Sequence, residues 1–128
     1  MIAAGIGCRR AISALQVEAA IAAALRRNLL AGHQLGVIAV PAVKGAEAGL
    51  LAAAAARGVL LMLIPQKMLE AANPRTLTRS ARSMAAMNVH SVAEAAALAA
   101  AGPNARLLAR RIAVGPVTCA LAEGEISQ

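Results

Sequence analysis

The 128-residue chain contains no phenylalanine, tryptophan or tyrosine. Proteins that grip single-stranded nucleic acid commonly stack bases on such rings, so that mode of binding is excluded. No helix-turn-helix or finger pattern appears either, so a basic nucleic-acid-binding module is a second-ranked alternative. Cysteine is nearly absent. Cys8 and Cys119 are the only two, far apart and outside any CxxC pair or His/Cys cluster, so free thiols are expected rather than a disulfide framework or a metal site. No cofactor is implied. Acidic residues are few, 6 against 13 Lys and Arg, for a net charge of +7. Such an excess in a small domain favours an anionic partner.

Long apolar runs are missing too, although 59% of residues are hydrophobic and mean hydropathy is +0.65. A spanning helix needs roughly 20 predominantly apolar residues in a row. Glu18, Lys44, Glu47 and Arg57 interrupt the candidates, and Asn28, His33, Gln34 and Pro41 break the uncharged stretch between them. Alanine, roughly a quarter of the chain, supplies the hydropathy, and it is a small helix former. The first eight residues are apolar and precede Arg9 and Arg10, the reverse of a secretory signal. A cytoplasmic location without membrane contact is the expectation.

What is present reads as one domain over residues 1–128. Ile2 to Gly7 is a short apolar run. Ser13 and Gln16 form a capping box ahead of a helix to about Leu30, with Val17, Ile21, Leu25 and Leu29 on one stripe and Gly32 as its end. Leu35 to Val40 and Val59 to Ile64 are two more strand-like runs. Between them a helix is expected from Ala46 to Arg57, capped by Gly58. Uniformly apolar strands alternating with helices imply a parallel sheet covered on both faces. A short helix follows from Gln66 to Ala72, then a polar stretch from Thr76 to Ser83. Ser91 and Glu94 make a second capping box for a helix from Val92 to Ala101. Arg106 to Val114 and Val117 to Ala122, around Gly115-Pro116, suggest a hairpin, and the tail from Glu123 reads as frayed. The predicted class is α/β: a three-layer α/β/α fold, with a mostly parallel sheet and a C-terminal antiparallel hairpin.

In such sheets ligands bind beyond the carboxyl ends of the strands. Three loops should meet there: Gly7 to Arg10, Lys44 to Glu47, and Gln66-Lys67. Gly5 and Gly7 let backbone approach a ligand, and Arg9 and Arg10 pair with carboxylates or phosphates. Cys8 is a candidate nucleophile if a helix end and Arg9 lower its pKa. Lys44 and Glu47 are equally read as a surface lysine and a helix-start glutamate. Ser91 and Glu94 are accounted for by capping, and Cys119 belongs in the core.

Gly5-Ile6-Gly7-Cys8-Arg9-Arg10 resembles the opening motif of the family of CobE and the C-terminal domain of CbiG. Lys44 to Leu51 resembles its second motif, Ser91 to Leu98 its third, and Val117-Thr118-Cys119-Ala120-Leu121-Ala122 its closing strand. The order is that of the family, the motifs span nearly the whole chain, and the length suits the stand-alone CobE form. The resemblance implies cobalamin (vitamin B12) biosynthesis, with an anionic tetrapyrrole, a precorrin or hydrogenobyrinic-acid-like intermediate, as partner together with other enzymes of that pathway. It implies ligand-binding roles at Gly5, Gly7, Cys8, Arg9, Arg10, Lys44, Glu47, Ser91, Glu94 and Thr118. Two roles stay open: a binding or transfer protein, or a hydrolase opening a lactone of the cobalt-precorrin-5A type, for which Lys44, Glu47 and Cys8 are the catalytic candidates. Pro41 and Ala46 stand where the family's second motif carries acids, and Arg111 where a lysine precedes the closing strand. The lost acids weigh against acid–base catalysis in that loop.

Overall fold

A computed structural model of the chain describes residues 1–9, 11–45 and 47–124. Six strands form one sheet: β1 (Ile2–Cys8), β2 (Val37–Pro41), β3 (Leu60–Ile64), β4 (Arg106–Leu107), β5 (Ile112–Val114) and β6 (Val117–Glu123). The order is β3-β2-β1-β6-β4, with β5 also on β6. β1, β2 and β3 run parallel, whereas β6 is antiparallel to β1 and forms the expected hairpin with β5. Among the described residues five α-helices accompany the sheet: α1 (Ala14–Arg27), α2 (Ala48–Arg57), α3 (Gln66–Ala72), α4 (Ala81–Met87) and α5 (Val92–Ala101). The expected α/β/α layering is the one observed.

Side-chain alternation along β1 shows how the layers form. Ile2, Ala4 and Ile6 point into a core with Val17, Ile21 and Leu25 of α1 and Leu50 of α2. The other face of β1 carries only Ala3, Gly5 and Gly7, so alanine-rich α5 lies almost against the backbone. A Cβ on Gly5 would sit 1.9 Å from the Ala93 carbonyl oxygen. Gly5 therefore serves packing. Gly49 does the same for α2, where a Cβ would meet the Ile12 carbonyl oxygen.

Several boundaries differ from the sequence reading. The Ser13–Gln16 capping box forms in full, but α1 ends at Arg27 and not near Gly32. Leu29 and Leu30 donate their N–H groups back to Arg26 and Leu25, closing a Schellman motif with Leu29 at φ 59°. Gly58 caps α2 in the left-handed region as expected; the proposed start of that helix at Ala46 lies outside the described residues. The run Arg106 to Val114 is two short strands, both paired to β6. Glu123 is not frayed, because it pairs with Ile2 and Arg106 across the sheet; the last four residues lie outside the described part. The polar stretch runs into α4, opened by Ser80, whose hydroxyl accepts the Ser83 N–H. β3 is the largest departure: instead of being covered on both faces it is an edge strand with Leu60 77% exposed. No helix among the described residues is long and apolar enough to cross a membrane.

Candidate functional site

The carboxyl ends of β1 and β2 open into a cleft of about 680 Å³. Gly7, Cys8 and Arg9 come from the end of β1, and Pro41 and Lys44 from the end of β2 and the 3-10 turn after it. Thr118 of β6, beside Gly7 in the sheet, lies on the floor and donates its hydroxyl to the Gly7 carbonyl at 3.2 Å. Arg111 and the Gly115-Pro116 turn close one side, and Ser80, Arg82, Ser83 and Met87 from α4 and its cap close the other. The cleft thus gathers Arg9, Lys44, Arg82 and Arg111, and among the described residues none that lines it is acidic. The two ion pairs among the described residues, Arg57–Glu18 and Arg106–Glu123, use none of these four cations.

Of the residues expected at a site, Gly7, Cys8, Arg9, Lys44 and Thr118 line this cleft. Arg10 lies outside the described residues. Gly5 is against α5, Ser91 is buried as the α5 cap, and Glu47 sits at the start of α2 near enough to act on Cys8 without lining the cleft. The Gln66-Lys67 loop does not reach it; Gln66 instead donates to Glu70 and to the Met87 carbonyl, bracing the end of α4. In its place stands α4, whose Ser80, Arg82 and Ser83 the sequence reading had no reason to select. The serine cap at Ser80 was the available signal, but a seven-residue helix with no buried residue leaves no apolar period.

Cys8 is half-buried, within reach of the charges of Lys44 and Glu47. Burial pushes its thiol pKa up and Glu47 adds to this, while Lys44 opposes without prevailing. No helix starts beside it, since α1 begins at Ala14. Of the two anticipated causes of a lowered pKa, the helix end is absent, and the charge that lowers it is Lys44 rather than Arg9. Cys119, in the core, is pushed up to about 12 by burial. Both thiols are free.

Glu94 departs furthest from its sequence reading. Ser91 accepts the Glu94 N–H at 3.2 Å, as a cap should, but the carboxylate does not return to the Ser91 backbone. It is fully buried and accepts the N–H groups of Leu77 (2.6 Å), Thr78 (3.0 Å) and Arg111 (2.9 Å), together with the Thr78 hydroxyl. Burial is the largest influence on this carboxyl and raises its pKa. The hydrogen bonds from Thr78, Arg111 and Leu77 together outweigh it and hold the group below its ordinary value. One carboxylate therefore fastens the segment leading into α4 to the segment carrying Arg111, the two walls of the cleft. No group of three or more His, Cys, Asp or Glu among the described residues is placed to hold a metal.

The family model "Cobalamin synthesis G C-terminus" matches residues 2–122. The solved structure of CobE, a protein from the cobalamin (vitamin B12) biosynthetic pathway, superposes with a TM-score of 0.90 at 31% identity, over 100% of this chain and 93% of that one. The cobalamin biosynthesis protein chiG from Agrobacterium tumefaciens str. C58 is 37% identical over 98% of this chain and 100% of its own, with a TM-score of 0.76. A cobalamin biosynthesis protein G homolog from Sulfolobus solfataricus, at 24% identity and a TM-score of 0.69, shares the fold over 98% of this chain and 37% of that one. None of the curated proteins matches.

Proposed function

The chain belongs to the cobalamin synthesis G C-terminus family, a family of cobalamin biosynthesis, and from that premise we propose that its cleft binds an anionic tetrapyrrole intermediate of the pathway and passes it to a partner enzyme. The observation that carries this reading is the set of four cations, Arg9, Lys44, Arg82 and Arg111, around one cleft with no acid among its described lining residues. A precorrin is fringed with acetate and propionate carboxylates. Guanidinium groups meet carboxylates through two parallel hydrogen bonds, and an ammonium meets them as a point charge. Three arginines and a lysine approaching from different elements suit a ligand whose acids radiate from a rim. The hydroxyls of Ser80 and Ser83 are further donors, and Ser83 Oγ is buried without a partner. Val92, Met87 and Pro116 supply apolar surface for a ring in a site without aromatics.

Binding and transfer are favoured over hydrolysis because burial raises the pKa of Cys8, the thiol among the described lining residues, rather than lowering it toward a thiolate. Steering by the net charge of +7 would speed capture of a polycarboxylate at low salt.

The test is a titration with hydrogenobyrinic acid followed by absorbance. Charge-assisted hydrogen bonds contribute about 1.5–3 kcal/mol each, so Arg82→Ala and Arg111→Ala are each expected to weaken binding about 10- to 100-fold. Arg27→Ala, at the far end of α1, should leave it unchanged. Absence of a spectral change with wild type, or equal affinity for all four proteins, overturns the reading. Acetaldehyde release from a lactone-bearing intermediate would move the chain to the hydrolase role.

A further inference from the structure

The two edges of the sheet are built differently. One is broken into β4, of two residues, and β5, of three, and it carries Arg106 in an ion pair with Glu123. Short pieces and charge are how folded proteins protect a solvent-facing edge. The other edge is β3, Leu60-Leu61-Met62-Leu63-Ile64, in unbroken parallel register with β2. It holds no charge, no proline and no bulge, and among the described residues nothing pairs with its outer side. Its side chains are exposed on both faces of the sheet: Leu60 (77%) and Met62 (38%) on the α5 side, Leu63 (46%) on the α2 side. Val43, in the turn beside this strand, is 77% exposed. An apolar strand left so bare is a pairing template.

We propose that β3 is a homodimer interface, in which the β3 strands of two copies pair antiparallel about a two-fold axis through Met62 and continue the sheet from one copy into the other. A second copy fits because the strand is complementary to itself. With Met62 opposite Met62, Leu60 faces Ile64 and Leu61 faces Leu63, so every opposed pair is apolar and lies on one face. Charge points to the same occupant. Gly58 to Gln66 is uncharged in a chain of net charge +7. Of the cations just beyond it, Arg57 is bound by Glu18 at 2.7 Å. An acidic partner would find only Lys67, beyond the end of the strand, to pair with, whereas the uncharged β3 strands of two copies can meet without direct repulsion between them. None of the exposed β3 residues lines the cationic cleft, so both clefts of the dimer stay open.

A five-residue strand is about 17 Å long, and with its flanks it would bury on the order of 400 Å² per copy. That is below the roughly 800 Å² per partner of a persistent complex, so a reversible dimer is expected, assembling in the micromolar to millimolar range. Sedimentation velocity of the full chain between about 1 μM and 1 mM reads it directly. Wild type should shift from monomer to dimer, with little weakening at high salt. Leu60→Lys and Met62→Lys should stay monomeric while keeping the far-UV circular dichroism of wild type. Leu60 projects mostly into solvent, so Leu60→Lys decides the matter should Met62→Lys unfold. A wild type that is monomeric at every concentration overturns the proposal, as does a dimer that survives Leu60→Lys in a folded protein.

Discussion

Gly5 and Gly7 lie one pleat apart on β1 and meet different neighbours. The space a Cβ would need at Gly5 is occupied by backbone of α5, whereas at Gly7 the nearest atom is the Thr118 hydroxyl, at 2.5 Å. Backbone cannot step aside as a side chain can. Gly5→Ala is therefore expected to cost about 2–3 kcal/mol of stability, as overpacking does, read by chemical denaturation. A loss under about 0.5 kcal/mol, the range of an indifferent surface change, would show that α5 shifts freely from β1. Leu29 offers a change of opposite sign. It is 91% exposed and sits at φ 59°, a conformation that costs a non-glycine residue about 1–2 kcal/mol. Leu29→Gly should stabilise the chain by about 1 kcal/mol, or roughly 3 °C in Tm, with no packing lost. A lower Tm would contradict the strained-cap account.

At the scale of elements, the cleft depends on two pieces with little packing of their own. α4 buries no residue, and the stretch through Arg110 and Arg111 belongs to no strand. Arg110 donates to the Leu77 carbonyl at 2.8 Å, and Glu94 binds both segments. Removing its charge leaves the Arg111 N–H facing an amide donor, so Glu94→Gln should destabilise by about 2–3 kcal/mol and loosen both walls. Its pKa is lower folded than unfolded, so the stabilisation is present above the ordinary glutamate pKa of about 4.3 and is lost as pH falls through the folded value. Denaturant midpoints should therefore drop in acid more steeply for wild type than for Glu94→Gln. Equal slopes would remove Glu94 from the account. The sequence could not reveal this: Ser91 and Glu94 at a spacing of three satisfy the local rule for a capping box, and only the approach of Leu77, Thr78 and Arg111 from elsewhere in the chain turns the carboxylate away.

For the whole molecule, local patterns carried the reading where the cause was local. Apolar runs bounded by glycine and proline marked β1, β2 and β3, serine caps marked α1 and α5, and Gly58 marked the end of α2, because hydrogen-bond closure and backbone sterics act within a few residues. The motifs in order along the chain identified the family for the same reason: they are strings of neighbours. The amino-acid order thus determined the layered α/β class, the basic character and the kinship. Tertiary structure alone decided which cations share a cleft, bringing Arg82 and Arg111 to Arg9 and Lys44 while leaving Lys67 outside. It also decided that β3 lies at an edge. A strand's hydrophobicity records that it avoids water, whereas the surface that covers it depends on distant parts of the fold or on another molecule.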